Sequence, residues 1–203
     1  MVKQADNIIG LYDRHAAEFD RQRGRSLFER SWLDRFLSTI PAGGKILDLG
    51  CGMAEPIARY IIERGFHVTG VDSSPNMIEL CIARFPEQAW IIADMRQISV
   101  DRRFDGILAW DSFFHLTPDD QRLMFPVFAA QAWPGAALMF TSGPRFGEAV
   151  GTFEGEPLYH ASLDPDDYRS LLAANGFEIL AYTAEDDTCA GHSVWLAKLR
   201  VGG

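Results

Sequence analysis

The segment from Lys45 to Asp72, KILDLGCGMAEPIARYIIERGFHVTGVD, constrains the fold more than any other part of the chain. A short apolar run ends at two glycines separated by one residue, and a helical stretch then leads to a second apolar run. The second run closes on Asp72, twenty positions after Gly52. Glycines at this point allow the backbone to turn sharply and to approach a ligand without a Cβ. The pattern is typical of a nucleotide-binding crossover between two parallel strands.

Strands and helices continue to alternate along the chain. The pattern predicts strands at Lys45–Leu49, His67–Val71, Ala89–Ala93, Phe104–Trp110, Ala136–Thr141, Phe177–Thr183 and Ser193–Arg200. It predicts helices at Gln4–Asp20, Leu27–Thr39, Glu55–Arg64, Pro75–Phe85, Pro118–Ala132 and Pro165–Ala174. Alternation of this kind indicates an α/β fold, a three-layer sandwich with a mostly parallel sheet between helices.

The last two predicted strands break the alternation. About ten residues separate them, fewer than the dozen or so that a parallel crossover requires. We therefore expect an antiparallel hairpin and a reversed last strand. Before them, residues 142–163 form a stretch rich in Gly and Pro with weak periodicity, which we interpret as a long functional loop.

Composition excludes several classes of partner. The formal net charge of the 203 residues is -9, and no cluster of Lys and Arg follows a phosphate backbone, so nucleic acid and anionic membrane are not expected partners. No apolar run reaches the roughly 18 residues of a membrane span. Cys51, Cys81 and Cys189 are scattered, which predicts reduced thiols, no structural metal and a cytoplasmic location.

Charge near the glycine turn indicates which ligand it holds. A dinucleotide loop normally has Gly or Ala where this chain has Glu55, and a carboxylate there disfavours a diphosphate. The carboxylate of Asp48, at the end of the first strand, also disfavours a diphosphate. Both favour a ligand that carries positive charge, with an adenosine ribose for Asp72 to bind.

ILDLGCGMA followed by GVDSS resembles the cofactor-binding motifs of class I S-adenosylmethionine-dependent methyltransferases. The likeness continues through IIADM and FDGILAWDSFFHL and covers Lys45 to Lys198, with Ala54 where many members have a third glycine. It implies a seven-stranded sheet of order 3-2-1-4-5-7-6, counted along the chain. It also implies one domain over residues 1–203, whose parts are an N-terminal helical cover (1–40), a cofactor-binding core (41–141), an acceptor-side loop (142–163) and a C-terminal helix and hairpin (164–203).

The resemblance also implies functional residues. S-adenosylmethionine would be held by Tyr12, Asp48, Gly50, Cys51, Gly52, Asp72, Ser73, Met77, Ala93, Asp94, Met95 and Trp110. Within this set, Asp72 corresponds to the residue that binds the ribose hydroxyls and Asp94 to a residue near the adenine. Tyr12 lies in YDRHAAEF, a pattern that predicts either a lid over the cofactor or an ordinary packed helix.

Candidates for proton transfer are His115 and Asp111, in the loop after the fourth strand. His115 is suited to accept a proton, and packing beside neighbouring aromatics is the alternative. Asp111 is expected to take a proton, to bind a cationic acceptor, or to contact the amino group of the cofactor. His160 and His192 are further candidates, each with a structural role as the alternative.

These observations predict methyl transfer to an O or N atom of a small molecule, with S-adenosylhomocysteine as product, by a monomer or homodimer. Trp110, Phe113, Phe114, Phe146, Phe153 and Tyr159 are predicted to give the acceptor a mostly apolar pocket. Two alternatives remain open at this stage: a non-catalytic protein that binds the same cofactor, and a NAD(P)-dependent oxidoreductase.

Overall fold

The computed structural model describes residues 5–201 of the chain. Its main sheet has seven strands in the order β3-β2-β1-β4-β5-β9-β8. These strands are β1 (Lys45–Leu49), β2 (His67–Asp72), β3 (Ala89–Ile92), β4 (Phe104–Ala109), β5 (Ala132–Ser142), β8 (Phe177–Asp186) and β9 (His192–Leu199). The first five pair in parallel, and β9 is antiparallel to both β5 and β8. The predicted fold class, strand order and reversed last strand are therefore confirmed.

Seven α-helices belong to the described part of the chain. They are α1 (Ile8–Arg14), α2 (Ala16–Gln22), α3 (Arg30–Ser38), α4 (Ile57–Glu63), α5 (Pro75–Arg84), α6 (Pro118–Gln131) and α7 (Pro165–Ala174). The last three begin with a capping side chain followed by proline: the Ser74, Thr117 and Asp164 oxygens each accept a backbone N–H of the first turn. Such caps and prolines favour a helix start, which is why the sequence pattern located these helices closely.

The N-terminal helices differ from the prediction. A single helix from Gln4 to Asp20 was expected, but α1 and α2 are separated by His15, whose φ of -109° and ψ of 22° interrupt the helix. Gln4, where that helix was expected to start, lies outside the described residues. Because the break redirects the chain, α1 and α2 can follow different parts of the underlying surface.

Residues 142–163 are not the irregular loop that the sequence suggested. They contain an antiparallel hairpin of β6 (Gly147–Phe153) and β7 (Glu156–Ser162), with Val150 opposite Tyr159. Its turn has positive φ at Glu154 (50°) and Gly155 (78°), as tight hairpin turns require. The hairpin was missed because β6 is exposed along most of its length, so its sequence shows no alternation of apolar and polar residues.

The sheet is covered on both faces, so successive residues of β5 enter different cores. Leu138 and Phe140 pack with Phe125 and Tyr168 on one face, and Met139 packs with α3 on the other. Burial of each large side chain contributes about 1.5–3 kcal/mol. No helix within residues 5–201 is long and apolar enough to cross a membrane. This double cover leaves the carboxyl ends of the central strands as the place for a ligand.

Candidate cofactor and acceptor site

A cavity lies beyond the carboxyl ends of β1, β2, β3 and β4, and α1 and α2 cover it. Eleven of the fourteen site residues predicted from the sequence line this cavity: Tyr12, Gly50, Gly52, Asp72, Ser73, Met77, Ala93, Asp94, Met95, Asp111 and His115. The structure does not place Asp48, Cys51 or Trp110 in its wall. Residues separated by as many as 103 positions along the chain are thus brought together at one end of the sheet.

The glycine turn after β1 requires its glycines. Gly50 has φ of 75°, and a Cβ added there would lie 2.2 Å from Cβ of Ser112. The backbone N–H groups of Gly50 and Cys51 both donate to the carbonyl of Val71, which joins the turn to the end of β2. A larger residue at position 50 would push the turn away from the following loop, so the shape of this cradle depends on the missing side chain.

Ala54 also has a positive φ, 67°, although it is not a glycine. A left-handed conformation costs a residue with a Cβ about 1–2 kcal/mol. Ala54 stands where many members of the family that the sequence resembles have a third glycine. The structure shows that this position needs the glycine conformation, so the alanine carries a modest strain.

Asp72 connects the glycine turn to the start of α5. Its carboxylate accepts the N–H of Gly52 and the N–H of Ser74, each at 2.9 Å. Burial raises the pKa of this carboxyl, and the backbone hydrogen bonds oppose that shift. Since each carboxylate oxygen can accept more than one hydrogen bond, Asp72 keeps acceptor capacity for a ligand in the cavity.

Asp48 lies inside its strand rather than beyond its end. It is paired in the sheet with Gly70 on one side and Leu108 on the other. Burial raises the pKa of the Asp48 carboxyl to about 7, and the nearby charge of Asp72 adds to the shift. Its predicted direct role at the ligand is therefore not supported by its position.

Cys51 and Trp110 point into the protein. The Cys51 sulfur would lie 2.8 Å from a Cβ added to Gly70, and burial raises the pKa of the thiol. Trp110 is buried against the ring of His192, at 5.6 Å between ring centroids. Cys51 lies two positions beyond the end of β1 and Trp110 one position beyond the end of β4, where the sequence does not show which way a side chain turns.

Glu55, whose charge was expected to repel a phosphate, is compensated by cations. Arg25 lies 2.7 Å from its carboxylate, and Arg59, one turn later in α4, also pairs with it. Burial opposes ionisation of Glu55, but the hydrogen bond from Arg59 outweighs it and the pKa falls below its usual value. The charge of Glu55 is thus a weaker argument against phosphate than the sequence suggested.

Asp94, after β3, is held by a cation that sequence reasoning missed. Arg96 binds Asp94 at 2.6 Å and Asp120, in the first turn of α6, at 3.0 Å. Burial opposes ionisation of Asp94, but the hydrogen bonds from Arg96 dominate and lower its pKa. Arg96 and Asp120 both line the cavity. The signal was the spacing of Asp94 and Arg96, two positions apart, which places both beside the same turn.

The cover over the cavity is fastened on two sides near the end of α1. Asp13 of α1 accepts hydrogen bonds from the Ser74 hydroxyl at 2.7 Å and from the Asn76 N–H at 3.2 Å. On the other side, Glu156 of the β6–β7 hairpin pairs with Arg14 and His15. The end of α1 therefore bridges from the start of α5 to the hairpin.

The apolar wall differs from the one predicted. None of the six aromatic residues expected around the acceptor lines the cavity. Phe113 lies in the main core, and Phe146 is exposed directly before β6. The apolar lining comes instead from the cover and from the strand ends, and includes Ile8, Ile9, Phe19, Met77, Met95 and Leu116.

Tyr12 and His115 form a hydrogen-bonded pair at the cavity. The Tyr12 oxygen lies 3.0 Å from Nε2 of His115, and Nδ1 of His115 lies 2.7 Å from the carbonyl oxygen of Tyr159. Because a carbonyl only accepts, Nδ1 carries the proton, and Nε2 of the neutral ring accepts from the Tyr12 hydroxyl. Burial lowers the pKa of His115 to about 4, so the ring is neutral near pH 7. The ring of His160 lies 4.8 Å away, outside the cavity wall.

Asp111 also lines the cavity and is held by His192 of β9. Nε2 of His192 lies 2.9 Å from Oδ1 of Asp111. The hydrogen bond to Asp111 raises the pKa of His192. The described wall contains four carboxylates (Asp72, Asp94, Asp111 and Asp120) and one guanidinium, that of Arg96. This balance suits a ligand that carries positive charge.

Comparison with known proteins connects this geometry to a family. A family model described as a methyltransferase domain matches residues 46–135. The chain is 28% identical over 160 residues to O-methyltransferase rstn1 of Aspergillus nomiae, covering 72% of this chain and 69% of that protein. It is 31% identical over 183 residues to methyltransferase GfsG of Streptomyces halstedii, covering 82% of this chain and 62% of that protein.

A solved structure shares the fold. CalS10, described as an amino pentose methyltransferase from Micromonospora echinaspora and solved with S-adenosylmethionine bound, superposes with a TM-score of 0.69 at 19% identity. The match covers 92% of this chain and 96% of that one. At this identity the likeness shows the shared fold.

Proposed function

We propose that this chain is a class I S-adenosylmethionine-dependent methyltransferase and that it transfers the methyl group of that cofactor to an O or N atom of a small molecule. The observation that carries the proposal is the cradle formed by the Gly50 turn and Asp72, opening into a covered cavity with an excess of carboxylates. A side chain at Gly50 would fill part of the cradle, and the carboxylates suit a sulfonium ligand. The residues present therefore fit the cofactor.

Different parts of the wall would hold different parts of the cofactor. Asp72 is proposed to accept hydrogen bonds from the ribose hydroxyls, and the turn from Gly50 to Gly52 to border the methionine portion. Asp94, oriented by Arg96, would lie at the adenine. When bound, S-adenosylmethionine supplies an already activated methyl group. The main task of the protein is then to align the acceptor and exclude water, which can lower the barrier by roughly 7–11 kcal/mol.

Tyr12 and His115 are proposed to help remove a proton from the acceptor. The Tyr12 hydroxyl donates to Nε2 of His115, so its own oxygen can accept a proton from the acceptor while its proton passes to the imidazole. His115 is a weak base, because burial lowers its pKa to about 4. We therefore expect general-base assistance near the lower end of the usual 10²–10⁴-fold range.

Closure of the cover is proposed to follow ligand binding. The N-terminal helices lie over the cavity and contact the β6–β7 hairpin through the Tyr12 and Phe153 rings, 6.0 Å apart. Opening of this cover would admit ligands, and closing it would exclude water from the methyl group.

Two measurements test the proposal. Calorimetry with S-adenosylmethionine, S-adenosylhomocysteine and NADH should show binding of the two adenosyl ligands, and both should raise the melting temperature because they bind only the native state. A panel of amines, alcohols and phenols, with reactions lacking acceptor as controls, should then release S-adenosylhomocysteine. Stabilisation by NADH and by neither adenosyl ligand would contradict the cofactor assignment.

A further inference from the structure

Asp111 and His192 form a hydrogen-bonded pair at the cavity wall that has no role in the methyl transfer proposed above. Asp111 follows β4 and lines the cavity, whereas His192 begins β9, 81 positions later in the chain. Only Oδ1 of Asp111 is engaged, by Nε2 of His192. Within residues 5–201 no hydrogen bond reaches the second carboxylate oxygen, Oδ2. The pair therefore presents an acceptor to the cavity while holding its other oxygen in place.

The two partners of His192 determine its protonation. Nδ1 lies 2.7 Å from the carbonyl oxygen of Cys189, and Nε2 lies 2.9 Å from the Asp111 carboxylate. Both partners are acceptors, so each ring nitrogen must carry a proton. With a proton on both nitrogens, the ring of His192 is an imidazolium that donates to the carboxylate of Asp111.

The surroundings hold this arrangement firmly. Asp111 has φ of 49°, a conformation that non-glycine residues rarely adopt, and its N–H donates to the Thr141 hydroxyl at 2.9 Å. The ring of His192 packs against Phe28 and Trp110, with ring centroids 5.5 and 5.6 Å away. Strain of this kind is found at functional sites.

Other charged and titratable groups face the pair. Glu29 is fully buried, and its charge favours the imidazolium; one of its carboxylate oxygens has no hydrogen-bond partner among the described residues. The Cys189 thiol experiences the charges of both Glu29 and Asp111. On the cavity side, Asp111 faces Tyr12, His115 and His160. These groups include no further cation that would neutralise Asp111.

We infer that Oδ2 of Asp111 binds the N–H of an amine acceptor, and that His192 is a positioning residue that keeps this carboxylate oriented. The inference rests on the proposed function. During transfer the C–S bond breaks as the C–N bond forms, and the positive charge moves from sulfur to the acceptor nitrogen. A carboxylate at that nitrogen stabilises the charge where it develops. The resulting ammonium then loses its proton, with the Tyr12–His115 pair as the first acceptor and solvent as the last.

An alcohol fits these groups less well. An alkoxide must form as the methyl group is transferred, which calls for a base stronger than His115 with its pKa of about 4. An amine can attack through its lone pair while an N–H remains bonded to Asp111. The excess of carboxylates in the wall also disfavours an anionic acceptor.

Sinefungin provides a probe that does not require the natural acceptor. It carries an amino group in place of the sulfonium methyl of the cofactor, whereas S-adenosylhomocysteine carries neither. We expect the protein to bind sinefungin more tightly than S-adenosylhomocysteine by calorimetry. Asp111→Asn should weaken sinefungin at least about tenfold, as the loss of a charge-assisted hydrogen bond predicts, and leave S-adenosylhomocysteine within about twofold.

Asp120→Asn is the matched control, because it removes another wall carboxylate but not the one at the proposed nitrogen site. It should leave the ratio of the two affinities unchanged. An Asp111→Asn variant that weakens both ligands equally would overturn the inference, since Asp111 would then hold the amino group of the cofactor. Failure of the wild type to bind either ligand would instead overturn the proposed function.

The role of His192 has a separate readout. Nitrogen NMR should show both ring nitrogens of His192 protonated at neutral pH, and Asp111→Asn should lower its pKa. His192→Gln, which can still donate to Asp111, should retain more of the preference for sinefungin than His192→Ala does. Equal loss in both variants, or a His192 that is neutral at pH 7, would show that the residue only packs.

Matched acceptors test the substrate class. In pairs of compounds that differ only in an amino or a hydroxyl group, we expect turnover with the amine and little with the alcohol. Turnover with the alcohols alone would overturn the assignment of an amine.

Discussion

Replacing Asp72 by alanine tests the proposed cofactor site at its centre. The carboxylate is partly buried in the cavity wall and accepts two backbone N–H groups, those of Gly52 and Ser74, at 2.9 Å each. A carboxylate offers about four acceptor positions, so two remain for the ribose hydroxyls. The alanine variant loses the hydrogen bonds to the ribose and the hydrogen bonds from the backbone. The first loss lowers the affinity for the cofactor, and the second lowers the melting temperature.

The magnitudes follow from these contacts. Each charge-assisted hydrogen bond to the ribose contributes about 1.5–3 kcal/mol, so losing one weakens the cofactor about tenfold and losing both about a hundredfold or more. The two backbone N–H groups lose their acceptor, at about 1–3 kcal/mol each. Removing a carboxylate whose burial raises its pKa offsets part of that cost. We expect the melting temperature to fall by roughly 5–10 °C.

Calorimetry with two ligands separates these effects. The wild type should distinguish S-adenosylhomocysteine from an analogue that lacks one ribose hydroxyl, and folded Asp72→Ala should not. Asp105→Ala is the control, because the Asp105 carboxylate also accepts a backbone N–H, that of Lys45 at 2.8 Å, but at the far end of β1. The control should lower stability and leave affinity unchanged. An unchanged affinity in folded Asp72→Ala would refute the reasoning.

Three further predictions follow from the site. Tyr12→Phe and His115→Ala should bind S-adenosylmethionine normally yet turn over more slowly. The wild-type rate should fall as the pH approaches 4 rather than near 6.5, because burial lowers the pKa of His115 to about 4. Full rates in both variants on a verified acceptor would argue against a proton-transfer role. Asp48→Asn should raise the melting temperature of the free protein more at pH 8 than at pH 4. The reason is that the folded-state pKa of Asp48 is raised to about 7, so ionisation of Asp48 destabilises the folded state as the pH rises from about 4 to 7. An equal effect at both pH values would contradict this sign. Amide hydrogen exchange should be faster in the β6–β7 hairpin than in β1. Exchange in the hairpin should slow when S-adenosylhomocysteine binds, because the hairpin tip contacts the cover through Glu156. Exchange that matches β1 and does not respond to ligand would indicate a purely structural insert.

The sequence by itself determined the features that depend on local patterns. Apolar runs and helix starts such as Ser74–Pro75 located the strands and most helices, since capping and periodicity act within a few residues. The GxG turn and the acidic residue at the end of β2 identified the cavity, because both belong to consecutive segments of one crossover. The resemblance to a methyltransferase family supplied the strand order and most residues of the wall.

Only the tertiary structure decided which side chains face the cavity and which of them meet. Asp48, Cys51 and Trp110 turn away from it, although they lie in or beside the same motifs as residues that line it. The pairs Tyr12–His115 and Asp111–His192 join residues 103 and 81 positions apart. The physical reason is that local propensities set the path of the backbone within each element, whereas contacts between elements depend on how the whole sheet and its cover pack. The β6–β7 hairpin shows the same limit, because β6 is exposed along most of its length and a strand without a buried face leaves no periodic pattern in its sequence.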